Sequence, residues 1–311
     1  MEILRQRIKN YLVGKKVEKL EKSGKPYYLI IRFENLGTCG LFAVVRKVIA
    51  GIEYAIEHGA VPVIDLKTHR NNLQIKENEN GWDIYFEQPA GVKFEKLDPS
   101  YKKIVKGDFW GNSLGMDFFT NEYMLGYYRD FFSKYIRLCP ELQEKCEKAE
   151  KKILENKKFI GVLARGSDYN MEKTKFHHIQ PTAEELIEKC NEIMGQYQIN
   201  RVFLATEDEG ILKKFQQEYG KNVFFLEQVR YESEMEDYIC NTEIFKNNRY
   251  KQNISYIQSL YLLSKCECFL SGINGGAFAV MLWTKGFQYS YFWNKGIGSV
   301  SDEKFYKSKK M

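Results

Sequence analysis

Arg165 ends an apolar run, FIGVLA (159–164), and is followed by Gly166, Ser167, Asp168 and Tyr169. A buried strand that finishes by presenting a guanidinium and a carboxylate offers either a fork for oxyanions or a salt-bridge partner at the surface. Two more stretches end in similar chemistry. RVFLA (201–205) runs into Thr206, Glu207, Asp208 and Glu209 at the start of a helical pattern, where acidic residues cap the helix, complement its dipole or face a ligand. CECFL (266–270) runs into Ser271, Gly272, Ile273, Asn274, Gly275 and Gly276, which also enter a helical pattern. Such a loop is either a tight turn or a row of backbone N–H groups open to a phosphate.

These three ends sit in a strict alternation of strands and helices. FIGVLA is a strand, PTAEELIEKCNEIM a helix opened by a Thr182–Glu185 capping box, RVFLAT a strand and DEGILKKFQQEYG a helix. NVFFL, CFLSG and YSYFW read as further strands, with ISYIQSLYLLSKC and NGGAFAVMLWTKG as helices between them. The pattern predicts a doubly wound α/β domain, whose ligands bind at the C-terminal strand ends. The first half holds its own strand, glycine turn, helix and strand. YYLIIRF (27–33) leads through Gly37, Cys39 and Gly40 into a helix whose apolar face is Leu41, Val45, Val48, Ile52 and Ala55; Gly59 closes it before VPVIDL (61–66). Residues 67–115 read as long surface loops carrying Trp82, Tyr85, Phe86 and Trp110, and 117–156 as helix ending in a charged divider. The expected organisation is two Rossmann-like domains, 1–156 and 157–311, with parallel sheets facing a cleft lined by the Gly37–Gly40 turn.

Composition narrows the function classes. The 311 residues are 44% hydrophobic and 28% charged, a normal balance for a globular protein with real cores. No apolar stretch is long enough to span a membrane, and the N-terminus lacks the apolar centre of a secretory signal. Seven scattered cysteines suggest reduced thiols and a cytoplasmic protein; Cys266 and Cys268 fall on opposite faces of a strand and do not suit a shared metal. The net charge of +6 is concentrated at the ends: the first 25 residues carry eight Lys/Arg against three Glu, and the last eight carry four Lys. That fits solvated surface or weak peripheral contact with an anionic membrane face. No basic stripe interleaved with aromatics recurs, which argues against nucleic acid. The first strand is not followed by GxGxxG, which argues against a nicotinamide-dependent oxidoreductase.

GVLARGSDY with HHIQPTAEELIEK, VFLATEDEGILKKF and LLSKCECFLSGINGGAFAV together resemble three signature regions of bacterial fucosyltransferase-like glycosyltransferases. These are relatives of the nodulation and core α-1,6-fucosyltransferases and of protein O-fucosyltransferases. LGTCGLFAVVRKVIAGIEYAIEHGAVPVIDL and GWDIYFEQPAG resemble segments of their N-terminal half. The resemblance implies a GT-B architecture, with an acceptor-side N-terminal domain and a C-terminal domain binding GDP-fucose without an essential metal or other cofactor. It assigns Arg165 to the diphosphate and places Glu207 and Asp208 at the acidic pair. His178, Thr206, Ser271, Gly272, Asn274, Gly275 and Gly276 fall with the donor-binding regions, and Asp168 and Arg165 with catalysis. The implied function is metal-independent, inverting transfer of fucose to a glycan acceptor in bacterial surface polysaccharide synthesis. The alternatives are another nucleotide sugar as donor, or a non-catalytic nucleotide-fold binding protein. The pattern departs at Gly166, where the core-fucosylating enzymes carry a second arginine, at Glu207, which is usually Asp, and at Ser259, where many relatives carry an aspartate. An inverting transfer needs a base for the acceptor hydroxyl, and Asp168, Glu207 and Asp208 are the candidates.

Overall fold

The computed structural model describes residues 2–37, 39–107, 109, 116–167, 177–233, 235 and 237–297, without the side chains of 2–10, 116 and 117. Trp110 and Asp168 lie outside the described residues. The chain forms two compact units, Met1–Gln143 and Glu144–Met311.

In the first unit, helix α1 (Glu2–Ser23) precedes strand β1 (Tyr27–Ile31), whose five residues are all buried. Helix α2 (Leu41–Glu57) buries Leu41, Val45, Val48, Ile52 and Ala55, the face its spacing predicts. Gly51 lets it lie close to the sheet: a methyl group there would stand 2.9 Å from Ile31 Cγ2. Strand β2 (Val61–Ile64) pairs in parallel with β1, closing the βαβ unit. A third strand, β3 (Lys102–Lys106), pairs in parallel along the other side of β1, giving the order β2-β1-β3.

Of residues 67–100, expected as surface loops, 91–100 are largely exposed, but much of 71–89 is buried. Trp82, Tyr85 and Phe86 are buried, with Trp82 stacked on Phe86 at 4.5 Å. The buried amides of Gln88 and Asn80 pair with the free edge of β2. Gln88 accepts from the Ile64 N–H at 2.8 Å, and both side chains donate to the Ile64 carbonyl at 2.9 Å. They stand in for a further strand and cover an edge that would otherwise be open. The region expected as one helix over 117–156 holds two, α3 (Glu122–Tyr135) and α4 (Pro140–Ile153). The division between units falls in the first turn of α4 rather than after it. The reason lies in packing: Cys146 is buried, and the Lys145 carbonyl accepts from Gln258 at 3.1 Å, within the second unit.

The second unit is a five-stranded parallel sheet of order β6-β5-β4-β7-β8, made of β4 (Ile160–Ala164), β5 (Val202–Thr206), β6 (Val223–Phe224), β7 (Cys268–Gly272) and β8 (Tyr289–Trp293). Helices α5 (Ala183–Tyr197), α6 (Glu209–Tyr219), α7 (Glu243–Leu263) and α8 (Gly275–Trp283) follow β4, β5, β6 and β7. Ile160, Val162 and Ala164 of β4 meet Leu186, Cys190 and Ile193 of α5 and Leu212 and Phe215 of α6 in one core. Alternation sends Gly161 and Leu163 to the opposite face, where Leu263 of α7 lies over Gly161. Cys268 belongs to the first core, while Cys266 precedes β7 in the turn from α7 and lies over Gly161. The chain steps outward from β4 to β6, then returns across β4 to β7. In parallel sheets such a reversal is where the loops after the two strands, here β4 and β7, diverge to make room for a ligand.

An ion pair on a buried aspartate ties the ends of β1 and β2. Arg32 Nε meets Asp65 Oδ2 at 2.5 Å, and Asp65 also accepts from the Lys67 N–H and the Thr68 hydroxyl. Burial alone would raise the Asp65 carboxyl, but the hydrogen bonds from Thr68, Lys67 and Arg32 outweigh it and hold the group below its ordinary range. A depressed carboxylate stabilises the fold above its unfolded value of about 4 and loses that contribution as pH falls through the folded value. Urea unfolding of the wild type and Asp65→Asn should therefore show a stability gap near pH 6 that shrinks below about pH 4. A gap independent of pH would contradict the assignment.

Candidate functional site

The turn after β4 is fixed by the two carboxylates that follow β5. Gly166 donates its N–H to Glu207 Oε1 at 3.0 Å, and Ser167 donates its N–H to Asp208 Oδ2 at 2.7 Å. Two successive amides thus meet two successive acids across neighbouring strands. Ser167 is held in the left-handed region, with φ 41°, which a serine adopts only where its surroundings insist. A methyl group on Gly166 would overlap Asp208 Oδ2. The glycine at the position of the second arginine is therefore a local steric requirement.

Asp208 is 0% exposed and caps α6. Its Oδ1 accepts from the Ile211 N–H at 2.9 Å and the Ser233 hydroxyl at 2.7 Å. Thr206, also buried, accepts from the Asp208 N–H at 3.1 Å. Asp208 is therefore a structural clamp whose oxygens all face protein donors. Glu207, beside it, faces a cation instead. Its Oε1 stands 3.3 Å from Arg165 Nε, with both side chains mostly buried. The guanidinium is thereby held just past the end of β4, against the acid that follows β5.

The loop after β7 is built by side chains that hold backbone. Ser271, buried, donates to the Leu163 and Gly272 carbonyls. Asn274 caps α8 by accepting from the Ala277 N–H at 2.9 Å. The first-turn N–H groups of Gly275 and Gly276 have no acceptor inside a helix and point out of its start. Gln180 lies within the first signature stretch, HHIQPTAEELIEK, outside the candidate site residues, and it is the organiser of this loop. It donates to the His178 and Ile273 carbonyls and accepts from Asn274 at 3.1 Å. A side chain at 272 would overlap it. Its only signal in the sequence is an amide just ahead of the Pro181-Thr182 helix start. His178 is half-buried and pairs in antiparallel fashion with Ile297. The structure thus brings Arg165, Thr206, Glu207, Asp208, His178, Ser271, Gly272, Asn274, Gly275 and Gly276 into one end of one unit.

Gly37, Cys39 and Gly40 belong to the first unit, in the turn ahead of α2. Asn72 donates to the Gly37 carbonyl at 3.0 Å, and Lys47 reaches Cys39 Sγ at 3.8 Å. Gly37 and Gly40 have open space around them and no left-handed φ, so nothing local demands glycine there. Among the described residues no group of three or more His, Cys, Asp and Glu is placed to hold a metal ion.

No family model matches the sequence, and no curated protein matches it by sequence. Solved structures do match. A mutant of FUT1 from Arabidopsis thaliana in complex with GDP is 9% identical, with a TM-score of 0.51 over 90% of this chain and 74% of that one. Fucosyltransferase NodZ from Bradyrhizobium is 14% identical, with a TM-score of 0.50 over 84% of this chain and 93% of that one. The chain has a fucosyltransferase-like fold. A GDP complex of POFUT1 agrees, at 11% identity and a TM-score of 0.50, covering 86% of this chain and 99% of that one. Identities this low carry the fold alone: an α/β chain with two parallel sheets, of the GT-B class.

Within this fucosyltransferase-like fold the two acids divide their labour, and substitution separates them. Asp208→Asn would set an amide N–H against that of Ser167 and should cost on the order of 2–3 kcal/mol of stability. Glu207→Gln keeps a carbonyl oxygen to accept from the Gly166 N–H and to face Arg165, and should cost less. Denaturant unfolding of both variants checks this, and equal losses would contradict it.

Proposed function

We propose that this chain is a glycosyltransferase that takes fucose from GDP-fucose and passes it to a glycan hydroxyl, with inversion and without a divalent cation. One observation carries the reading: a mostly buried guanidinium, Arg165, held by Glu207, and two helix-start N–H groups, of Gly275 and Gly276, flank the chain reversal between β4 and β7. Parallel sheets of this kind bind ligands at that reversal. Two of the solved structures of similar fold are complexes with GDP, which supports the donor class.

In the reaction the acceptor oxygen attacks the anomeric carbon as the bond to the diphosphate oxygen breaks. The bonding electrons leave with the diphosphate, and the hydroxyl proton passes to a carboxylate base. Negative charge grows on the leaving group, where Arg165 donates in charge-assisted fashion and the Gly275 and Gly276 N–H groups add fixed dipoles. Burial and its four hydrogen bonds remove Asp208 from the choice of base. Asp168 and Glu207 are the two carboxylates left for that role. The acceptor in this reading is a bacterial surface polysaccharide at the inner membrane face. Exposed Tyr11 and Leu12 on α1, with exposed lysines at 15, 16, 19 and 22, support peripheral contact with anionic lipid. No described helix is long and apolar enough to cross a membrane.

A different nucleotide sugar is the second reading. It is favoured by Ser259, buried on α7 at the position where the family resemblance implies an aspartate.

The test is transfer from radiolabelled GDP-fucose to a glycan acceptor. Arg165→Ala should lower turnover roughly a hundredfold or more in protein that still unfolds cooperatively. EDTA should leave wild-type turnover intact. Near-normal turnover in the variant would end the assignment.

A further inference from the structure

The backbone of Glu207 is fixed from two sides. Its carbonyl accepts from the Tyr231 N–H at 2.8 Å, and the Tyr231 carbonyl accepts from the Glu209 N–H at 2.9 Å. The segment after β6 therefore runs beside the acidic pair in parallel, as a strand would. Gln228 ties that segment to the Thr206 carbonyl at 2.7 Å, and the Tyr231 hydroxyl donates to Gln252 of α7 at 2.6 Å. On the other side β5 is in register with β4, with Ala164 against Thr206.

From this fixed start the Glu207 side chain uses one oxygen twice. Oε1 accepts from the Gly166 N–H at 3.0 Å and stands 3.3 Å from Arg165 Nε. One atom thus sets both the backbone of the β4 turn and the guanidinium that the turn carries. The contact is made at Nε, the nitrogen nearest the chain, so it restrains the root of the planar fork. A general base must offer its oxygen to the acceptor hydroxyl. Here that oxygen is committed to the turn, and the side chain is 14% exposed. We propose that Glu207 is a positioning residue, which acts on the reaction through Arg165 and takes no proton from the acceptor. The inference rests on the glycosyltransferase reading and narrows the choice of base within it.

The experiment is transfer from radiolabelled GDP-fucose by the full-length wild type, Glu207→Ala, Glu207→Gln, Arg165→Ala and the variant carrying both alanines, each checked for cooperative unfolding. Glu207→Ala should lower kcat roughly a hundredfold, the order of loss for a misplaced catalytic group. Glu207→Gln keeps a carbonyl oxygen for both contacts and should restore kcat to about tenfold or more above that of Glu207→Ala. With Arg165 already replaced, Glu207→Ala should cost less than about threefold, because the group it positions is gone. Turnover in Glu207→Gln as low as in Glu207→Ala would overturn the inference, since an amide cannot stand in for a carboxylate that takes a proton. The same factor lost with and without Arg165 would also overturn it. Should Glu207→Ala not fold, turnover in Glu207→Gln at or below that of Arg165→Ala is the overturning result, and turnover well above it the supporting one. A wild type that transfers nothing from GDP-fucose would overturn the glycosyltransferase reading, and this inference with it.

Discussion

The turn after β4 depends on a pair of amide-to-carboxylate hydrogen bonds, from Gly166 to Glu207 and from Ser167 to Asp208. They reach across adjacent parallel strands, so they hold only if the register of β4 on β5 holds. That register pairs Ala164 with Thr206, the last residue of each strand. Everything beyond the strand end is then determined by short-range chemistry. Gly166 has no room for a side chain, Ser167 takes a left-handed backbone, and Arg165 lies against Glu207. A guanidinium restrained in this way has lost its freedom before any ligand arrives, which is the condition for strong electrostatic stabilisation of a leaving group.

The first unit uses the same device in simpler form. Arg32 follows β1 as Arg165 follows β4, and each meets a carboxylate from the end of the adjacent strand. In the first unit the acid is a single buried aspartate saturated by its own loop. In the second the work is split: Asp208 takes the buried structural share, and Glu207 is left beside the cation. That division explains why an acidic pair, rather than one acid, follows β5.

Much of this was legible in the sequence for a definite reason. Parallel strands buried on both faces are short uninterrupted apolar runs, so FIGVLA, RVFLAT and CFLSG announce themselves, as do the helices between them. Strand β3 was illegible because it is an edge strand with three lysines and one buried residue, Ile104. The N-terminal half of α7 is mostly polar, with only Ile244, Phe245 and Tyr250 as large apolar or aromatic residues, so only the part from Ile254 onward read as helix. Residues 71–89 read as surface loop because their interior is built on amides such as Gln88 and Asn80, which composition cannot separate from surface amides. At the site, residue types were readable and partnerships were not. A capping aspartate and a buried clamp look alike in one dimension. Ser233, which holds Asp208, comes from a distant segment with no motif, and Gln180, which holds the loop after β7, sits inside a signature stretch whose partner across the sheet the sequence does not reveal.

If the corner between the β4 turn and the start of α8 is a diphosphate site, a crystal structure of the protein with GDP will show it. Phosphate oxygens should then lie about 3 Å from the Arg165 guanidinium and from the Gly275 and Gly276 N–H groups. A nucleotide bound away from that corner, or one whose phosphates are held by a metal ion instead of Arg165, would contradict the assignment.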